Sequence, residues 1–297
     1  MNKTTKIIIW VVVAVVVVAG IWYGVSRKPA PVAEKEPVKI GVIYPLTGAG
    51  SYFGKLKKEG AELAVNEINQ KGGLLGKKVE LIVEDSKTDV KEGLSAFNKL
   101  VEIEKTPIII SSLSSVCMAI KPNLKEKNVI LFANVGHPEI TKDNENKNIF
   151  RNFPTAGAET KKMASFIFNK NISKIAIVSL NDDWGRSLSE TLKIHLNNKV
   201  DIVSEEFFDS ATTDFRSILA KVLSKRPEAI YFAGYGGNSR AIFAKQLKEF
   251  RFDGYFLGPI GVDDTFLKVS WDVAEGHIFT DIYFDLNRTT TRLFFEH

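Results

Sequence analysis

From residue 38 onward, short apolar β-rich runs alternate with amphipathic segments, and the alternation runs twice, in two series divided near Phe153-Pro154. In the first series, residues 38–44 (VKIGVIY) read as a strand that stops at Pro45. Residues 54–70 place Leu56, Ala61, Ala64, Val65 and Ile68 on roughly one helical face and end at Gly72-Gly73. Further strands are expected at 79–83, 107–111 and 129–133, with helices at 90–103 and 116–127. The second series predicts helices at 160–169, 186–196, 214–224 and 239–250, and strands at 174–179, 200–207, 229–233 and 255–257. Strands this apolar, in a βαβα order, belong in parallel sheets covered on both faces. The expected architecture is therefore α/β, with two doubly wound parallel-sheet lobes.

Such sheets hold ligands beyond the carboxyl ends of their strands, at the point where strand order reverses. Six segments fall there: PLTGAGSYFG (45–54), SSLSS (111–115), ANVG (133–136), LNDDWG (180–185), GYGGN (234–238) and GPIGV (258–262). They are rich in Gly, Ser, Asn and aromatics. Glycine lets a ligand approach the backbone closely, and hydroxyls and free amides at helix starts can hold a carboxylate. Any one segment is explained by turn and cap chemistry, but six at one strand end point to a cleft.

Ahead of the alternation, residues 7–25 carry no charge, with Lys3 and Lys6 before them and Arg27 and Lys28 after. Nineteen residues rising about 1.5 Å each reach roughly 28 Å, close to a hydrocarbon core of about 30 Å. Trp10 at one end, and Trp22 with Tyr23 at the other, suit the membrane interfaces. Two readings stay open, an uncleaved anchor or a secretory signal with Val18-Ala19-Gly20 as its cleavage site. Both export the body. Residues 27–37 (RKPAPVAEKEP) read as an extended linker.

Other classes are disfavoured. The net charge of +5 is concentrated around the apolar run, where Lys3, Lys6, Arg27, Lys28 and Lys35 outnumber Glu34 and Glu36, so the body has no nucleic-acid signature. With Cys117 as its single cysteine, the chain has no intramolecular disulfide and no CxxC pair. His137, His195, His277 and His297 show no metal-ligand spacing and read as surface or loop histidines. GAGSYFG mimics a dinucleotide fingerprint, but its glycines at 48, 50 and 54 are wrongly spaced and Pro45-Leu46-Thr47 lengthens the turn. The run Lys55, Lys57, Lys58, Glu59 reads as a solvated helix face. No catalytic motif, metal site or cofactor site is expected.

The strings IGVIYPLTGAGSYFG, EGAELAVNEINQKGGLLGKKVEL, VEDSKTD, KIAIVSLNDDWG, IYFAGYGGN and FLGPIGV together resemble a periplasmic solute-binding protein of the type I fold. The resemblance is to the branch holding the leucine/isoleucine/valine-binding protein of ABC importers, and covers about residues 38–281. It implies two lobes joined by a hinge, with lobe 1 at 38–154 plus a return segment at 283–297, and lobe 2 at 155–282. An anchor or signal at 1–28 and a linker at 29–37 precede them. It also implies where a ligand sits. A serine after the third strand holds the ligand carboxylate, matched by Ser115 with Ser114 beside it, helped by the next loop at Ala133, Asn134 and Val135. Trp184 closes over the ligand from the second lobe, Tyr235 joins it, and Tyr52 and Phe53 contribute from the first loop.

One position departs from the family. Where amino-acid binders hold the ammonium with a Glu, this chain has Ile260. A charge-assisted hydrogen bond contributes about 1.5–3 kcal/mol, so its loss matters. Either another acid, such as Asp263 or Asp182, replaces it, or the ligand lacks an α-amino group. The implied function is capture of a small polar solute outside the cytoplasm and delivery to an ABC permease, with membrane contact through the N-terminal helix. The same fold also serves as a receptor's sensor domain, which is the alternative. The family continues past the point where residues 286–297 return to lobe 1, so the expectation is that the C-terminal part is missing, exposing apolar faces that meet Leu293, Phe294 and Phe295.

Overall fold

Among the described residues, ten strands assemble into two five-stranded sheets, one from each half of the alternation, and every strand pair is parallel. The computed structural model describes residues 2–26, 36–142, 147–261, 264–271 and 273–282. The first sheet holds β1 (Val38–Tyr44), β2 (Val79–Asp85), β3 (Ile108–Ser112), β4 (Ile130–Asn134) and β5 (Ile149–Arg151), in the order β2-β1-β3-β4-β5. The second holds β6 (Lys174–Leu180), β7 (Asp201–Phe208), β8 (Ala229–Ala233), β9 (Tyr255–Gly258) and β10 (His277–Phe279), in the order β10-β9-β8-β6-β7. Read from the strand that follows each sheet's first helix, both orders are 2-1-3-4-5. The topology therefore repeats, and each sheet reverses direction beside its first strand.

Helices connect the strands: α2 (Ser51–Gln70), α3 (Val90–Asn98) and α4 (Ser114–Ile120) in lobe 1, then α5 (Ala156–Asn169), α6 (Asp183–Leu196), α7 (Arg216–Leu223), α8 (Asn238–Glu249) and α9 (Asp264–Ser270) in lobe 2. Their starts are set by short side chains that accept from otherwise unpaired backbone amides. Asp89 accepts from Lys91 and Glu92 ahead of α3, Thr155 from Ala158 ahead of α5, and Asp182 from Gly185 ahead of α6. These caps move α5 and α6 three or four residues earlier than their apolar periodicity alone indicates. The helix expected over 90–103 is α-helical to Asn98 and then widens to a π turn over Lys99–Ile103.

Packing differs between the sheets. Lobe 2 buries a core on each face: Met163, Ile177, Leu188 and Tyr231 on one side, Val178, Phe215, Phe232 and Phe243 on the other. Lobe 1 has one large core, built on Ile43, Phe97, Leu100, Ile109, Ile120 and Leu131, with Cys117 fully buried inside it. Ile130, Phe132 and Phe150 stay exposed on its sheet, the two rings stacked 5.4 Å apart. The return segment expected at 283–297, with Leu293, Phe294 and Phe295, and the linker at 29–35 lie outside the described residues.

The apolar N-terminal run is a helix, α1 (Lys3–Ser26), of which Lys3–Tyr23 is long and apolar enough to cross a membrane. Trp10 and Trp22 are exposed near its two ends. His277 departs from the surface position expected of it. Its ring stacks 4.2 Å from Phe256 and lies edge-on to Phe266, both ring nitrogens are buried, and burial pushes its pKa down to about 3. His297 lies outside the described residues.

Candidate functional site

The carboxyl ends of both sheets face one another across a cavity of about 200 Å³, below the roughly 300–1,000 Å³ of pockets for drug-sized ligands. Lobe 1 lines it with Pro45, Gly50, Phe53, Lys57, Ser112, Leu113, Ser114, Asn134, Val135, Gly136 and Phe153. Lobe 2 lines it with Trp184, Tyr235, Gly236, Ile260 and Gly261. Seven of the residues expected there therefore meet: Ser114, Asn134, Val135, Trp184, Tyr235, Phe53 and Ile260.

Three others stand elsewhere. Ser115 follows Ser114 into α4 and is not in the lining; Ala133 is fully buried in β4, within the lobe 1 core. Tyr52 lines a second cavity of about 400 Å³, rich in hydroxyls from Ser210, Thr212, Thr213 and Ser239, which shares Phe53, Tyr235 and Gly236 with the first. The reason is periodicity. Successive side chains on a strand point to opposite faces, so Ala133 turns into the core while Asn134 points out of it, and neighbouring helical positions Tyr52 and Phe53 diverge by about 100°.

Each loop is built for close approach. Leu113 links β3 to α4 with φ +78°, a conformation a branched residue adopts only under strain. That turn presents Ser112 and Ser114 to the cavity. Ser112 Oγ is 1% exposed on the whole residue and has no hydrogen-bond partner, and Asn134 Oδ1 is likewise buried and unpartnered while its Nδ2 donates to Asn152 at 3.1 Å. Buried polar atoms are almost always satisfied, so two orphans on one cavity wall are the marks of a site that expects a partner.

Across the cleft, Trp184 and Tyr235 stack at 5.5 Å and 5°. Tyr235 is fixed by its hydroxyl, which donates to Asp182 Oδ2 at 2.6 Å, while Asp182 Oδ1 accepts from Gly185 N at 2.7 Å. Burial pushes the Asp182 carboxyl up, and both its oxygens are used. Each Asp182 oxygen thus already has a partner, and the residue is not in the cavity lining; Asp263 lies outside the described residues. Behind Ile260 stands an acid that the sequence reading passed over. Glu159, on α5, accepts from Ile260 N at 3.0 Å, and burial pushes its carboxyl up to about 7.

The lobes touch through two glycines. A Cβ on Gly136 of lobe 1 would lie 3.2 Å from Trp184 Nε1 of lobe 2, and one on Gly261 of lobe 2 would lie 3.4 Å from Phe53 Cζ of lobe 1. Gly261 also has φ +117°, which side chains resist. Each lobe seats one ring on the other's backbone, so the two lobes meet across the cleft.

Sequence reading also missed Lys57, Ser112 and Phe153. Lys57 lies one helical turn after Phe53 and so on the same face, a spacing that was visible. Half-buried, it lines the cavity, with Nζ 5.8 Å from the centre of the Phe153 ring. Burial pushes its ammonium down to about 8. Among the described residues, no group of His, Cys, Asp and Glu is arranged to hold a metal ion.

Comparison with known proteins agrees with this architecture. A family described as periplasmic binding protein matches residues 37–297. The Leu/Ile/Val-binding protein BraC3 of Rhizobium johnstonii is 30% identical over 256 residues, spanning 85% of this chain and 69% of that protein. The crystal structure of the leucine-binding protein LivK from Thermotoga maritima aligns with TM-score 0.80 at 27% identity, over 87% of this chain and 74% of that one. LivJ from Streptococcus pneumoniae, solved in complex with isoleucine, shares the fold with TM-score 0.77 at 24% identity, over 88% of this chain and 76% of that one.

Proposed function

Because the chain belongs to the periplasmic binding protein family, we propose that it captures a small organic solute between its lobes, outside the cytoplasm, and delivers it to an ABC import permease. The observation that carries this reading is the cavity lined from both lobes, with two unpartnered polar atoms on its wall. Solute settles first on lobe 1, at Ser112, Ser114 and Asn134. The Trp184 and Tyr235 wall then swings in about a hinge at the lobe crossings, near Phe153-Pro154 and residues 281–285, a closure typical of two-lobed binders. Lobe 1 is assigned to residues 38–154 and lobe 2 to 155–282, and α1 exports the body and tethers it to the membrane.

A thermal-shift screen of the full chain in mild detergent tests the reading, using amino acids, short carboxylates, amides and aromatic acids. A solute present at a hundred times its Kd adds about 2.7 kcal/mol to stability, a rise of several degrees. Stabilisation by at least one small organic solute is expected. A response to nucleotides alone would overturn the proposal.

A further inference from the structure

The solute-capture reading leaves one cavity residue without a task. Lys57 projects from α2 into the cleft, and among the described residues it has no hydrogen-bond or ion-pair partner, only the face of Phe153 5.8 Å away. An ammonium removed from water without a counter-charge is costly, and the cost is relieved by an anion. The titratable groups about it do not supply one. Cys117, on α4, has its thiol pushed up to about 12 by burial and stays neutral. Arg151, beyond it on β5, is cationic and already donates to the carbonyls of Val135, His137 and Pro138 and to Thr141 Oγ1.

The rest of the lining narrows the chemistry. No Asp or Glu lines the cavity among the described residues; Asp182 has both oxygens engaged, and Glu159 sits behind Ile260. A ligand ammonium would therefore meet Lys57 and no carboxylate. Ser112 Oγ, buried and unpartnered, can donate to an anionic oxygen; Ser114 and Asn134 are the other polar side chains of the lining, and the rest is rings, aliphatic groups and glycine backbone.

We propose that Lys57 anchors the solute's anionic end, and that the solute is a small organic monocarboxylate with an apolar body and no α-ammonium. This inference rests on the solute-capture reading and specifies its ligand. One uncommitted cation matches one negative charge, and the rings of Phe53, Phe153 and Trp184 cover an apolar or planar body. An ammonium with a pKa of about 8 keeps its proton at neutral pH and loses it above that point. Carboxylate affinity then falls as pH rises past 8, approaching tenfold per unit.

Isothermal titration of the full chain in detergent tests this with benzoate, 4-methyl-2-oxopentanoate, benzamide and L-leucine, on the natural protein and on Lys57→Met and Lys57→Arg. The two ammonium-free carboxylates should bind at least tenfold more tightly than benzamide or L-leucine. Lys57→Met should remove at least tenfold of that affinity, narrow the gap between benzoate and benzamide, and abolish the fall above pH 8; Lys57→Arg should restore much of the affinity and shift the fall upward. If Lys57→Met does not fold, the pH profile of the natural protein decides. L-leucine binding most tightly, unaffected by Lys57→Met, would overturn this inference while leaving solute capture intact. Binding of no organic solute, here or in the thermal screen, would overturn both.

Discussion

Both lobes carry the same strand order, yet the polar side chains lining the cleft come mainly from one of them. Lobe 1 provides Lys57, Ser112, Ser114 and Asn134, among them two polar atoms with no partner. Lobe 2 provides Trp184, Tyr235, Ile260 and two glycines; of the acids behind it, Asp182 spends its oxygens fixing Tyr235 and capping α6, and Glu159 accepts from Ile260 N. A repeated topology therefore sets where side chains converge, while the loop residues set what they do. On the proposed reading, the polar groups of lobe 1 recognise the solute, while Trp184 and Tyr235 of lobe 2 close over it.

If that division is right, substitutions on the two walls should fail differently. The largest effect belongs to Trp184→Ala. Trp184 is 9% exposed and belongs to a lobe 2 core with Leu188 and Ile177, so its removal should cost about 3–5 kcal/mol in denaturant unfolding and weaken solute binding too. A loss below about 1 kcal/mol would show that the covering wall is not part of the lobe 2 core. The smallest stability effect belongs to Ser112→Ala. Its hydroxyl is buried without a partner, so deleting it should leave stability within about 1 kcal/mol, or raise it, while solute affinity measured by titration falls severalfold. Equal affinity in Ser112→Ala and the natural protein would remove recognition from the lobe 1 wall.

Much of this was legible from residues alone, and what escaped has local causes. β1 and β8 were readable over their full length, because their apolar runs are bounded by Pro45 and Gly234. β5 and β10 are three residues each, too short for any period to register, and α9 follows a segment without a clear apolar stripe. In the cleft, aromatic and amide positions were found through motif and strand-end logic. The charge of Lys57 suggests solvent, although its spacing from Phe53 puts it on the cavity face. Ser112 lay one residue beyond the strand end expected at 111, and its role depends on the strained turn at Leu113, which no composition reveals.

If these unlike walls close over a solute, the distance between the lobes measures that closure most directly. Lys91 and Ala211 are exposed near the outer strands β2 and β7, and the only native cysteine is buried, so spin labels on Lys91→Cys with Ala211→Cys would report the cleft mouth. With the solute that the screen identifies at saturation, pulsed dipolar spectroscopy should show one short, narrow distance; without it, a longer and broader population. The same distance distribution in both conditions would contradict closure as the means of capture.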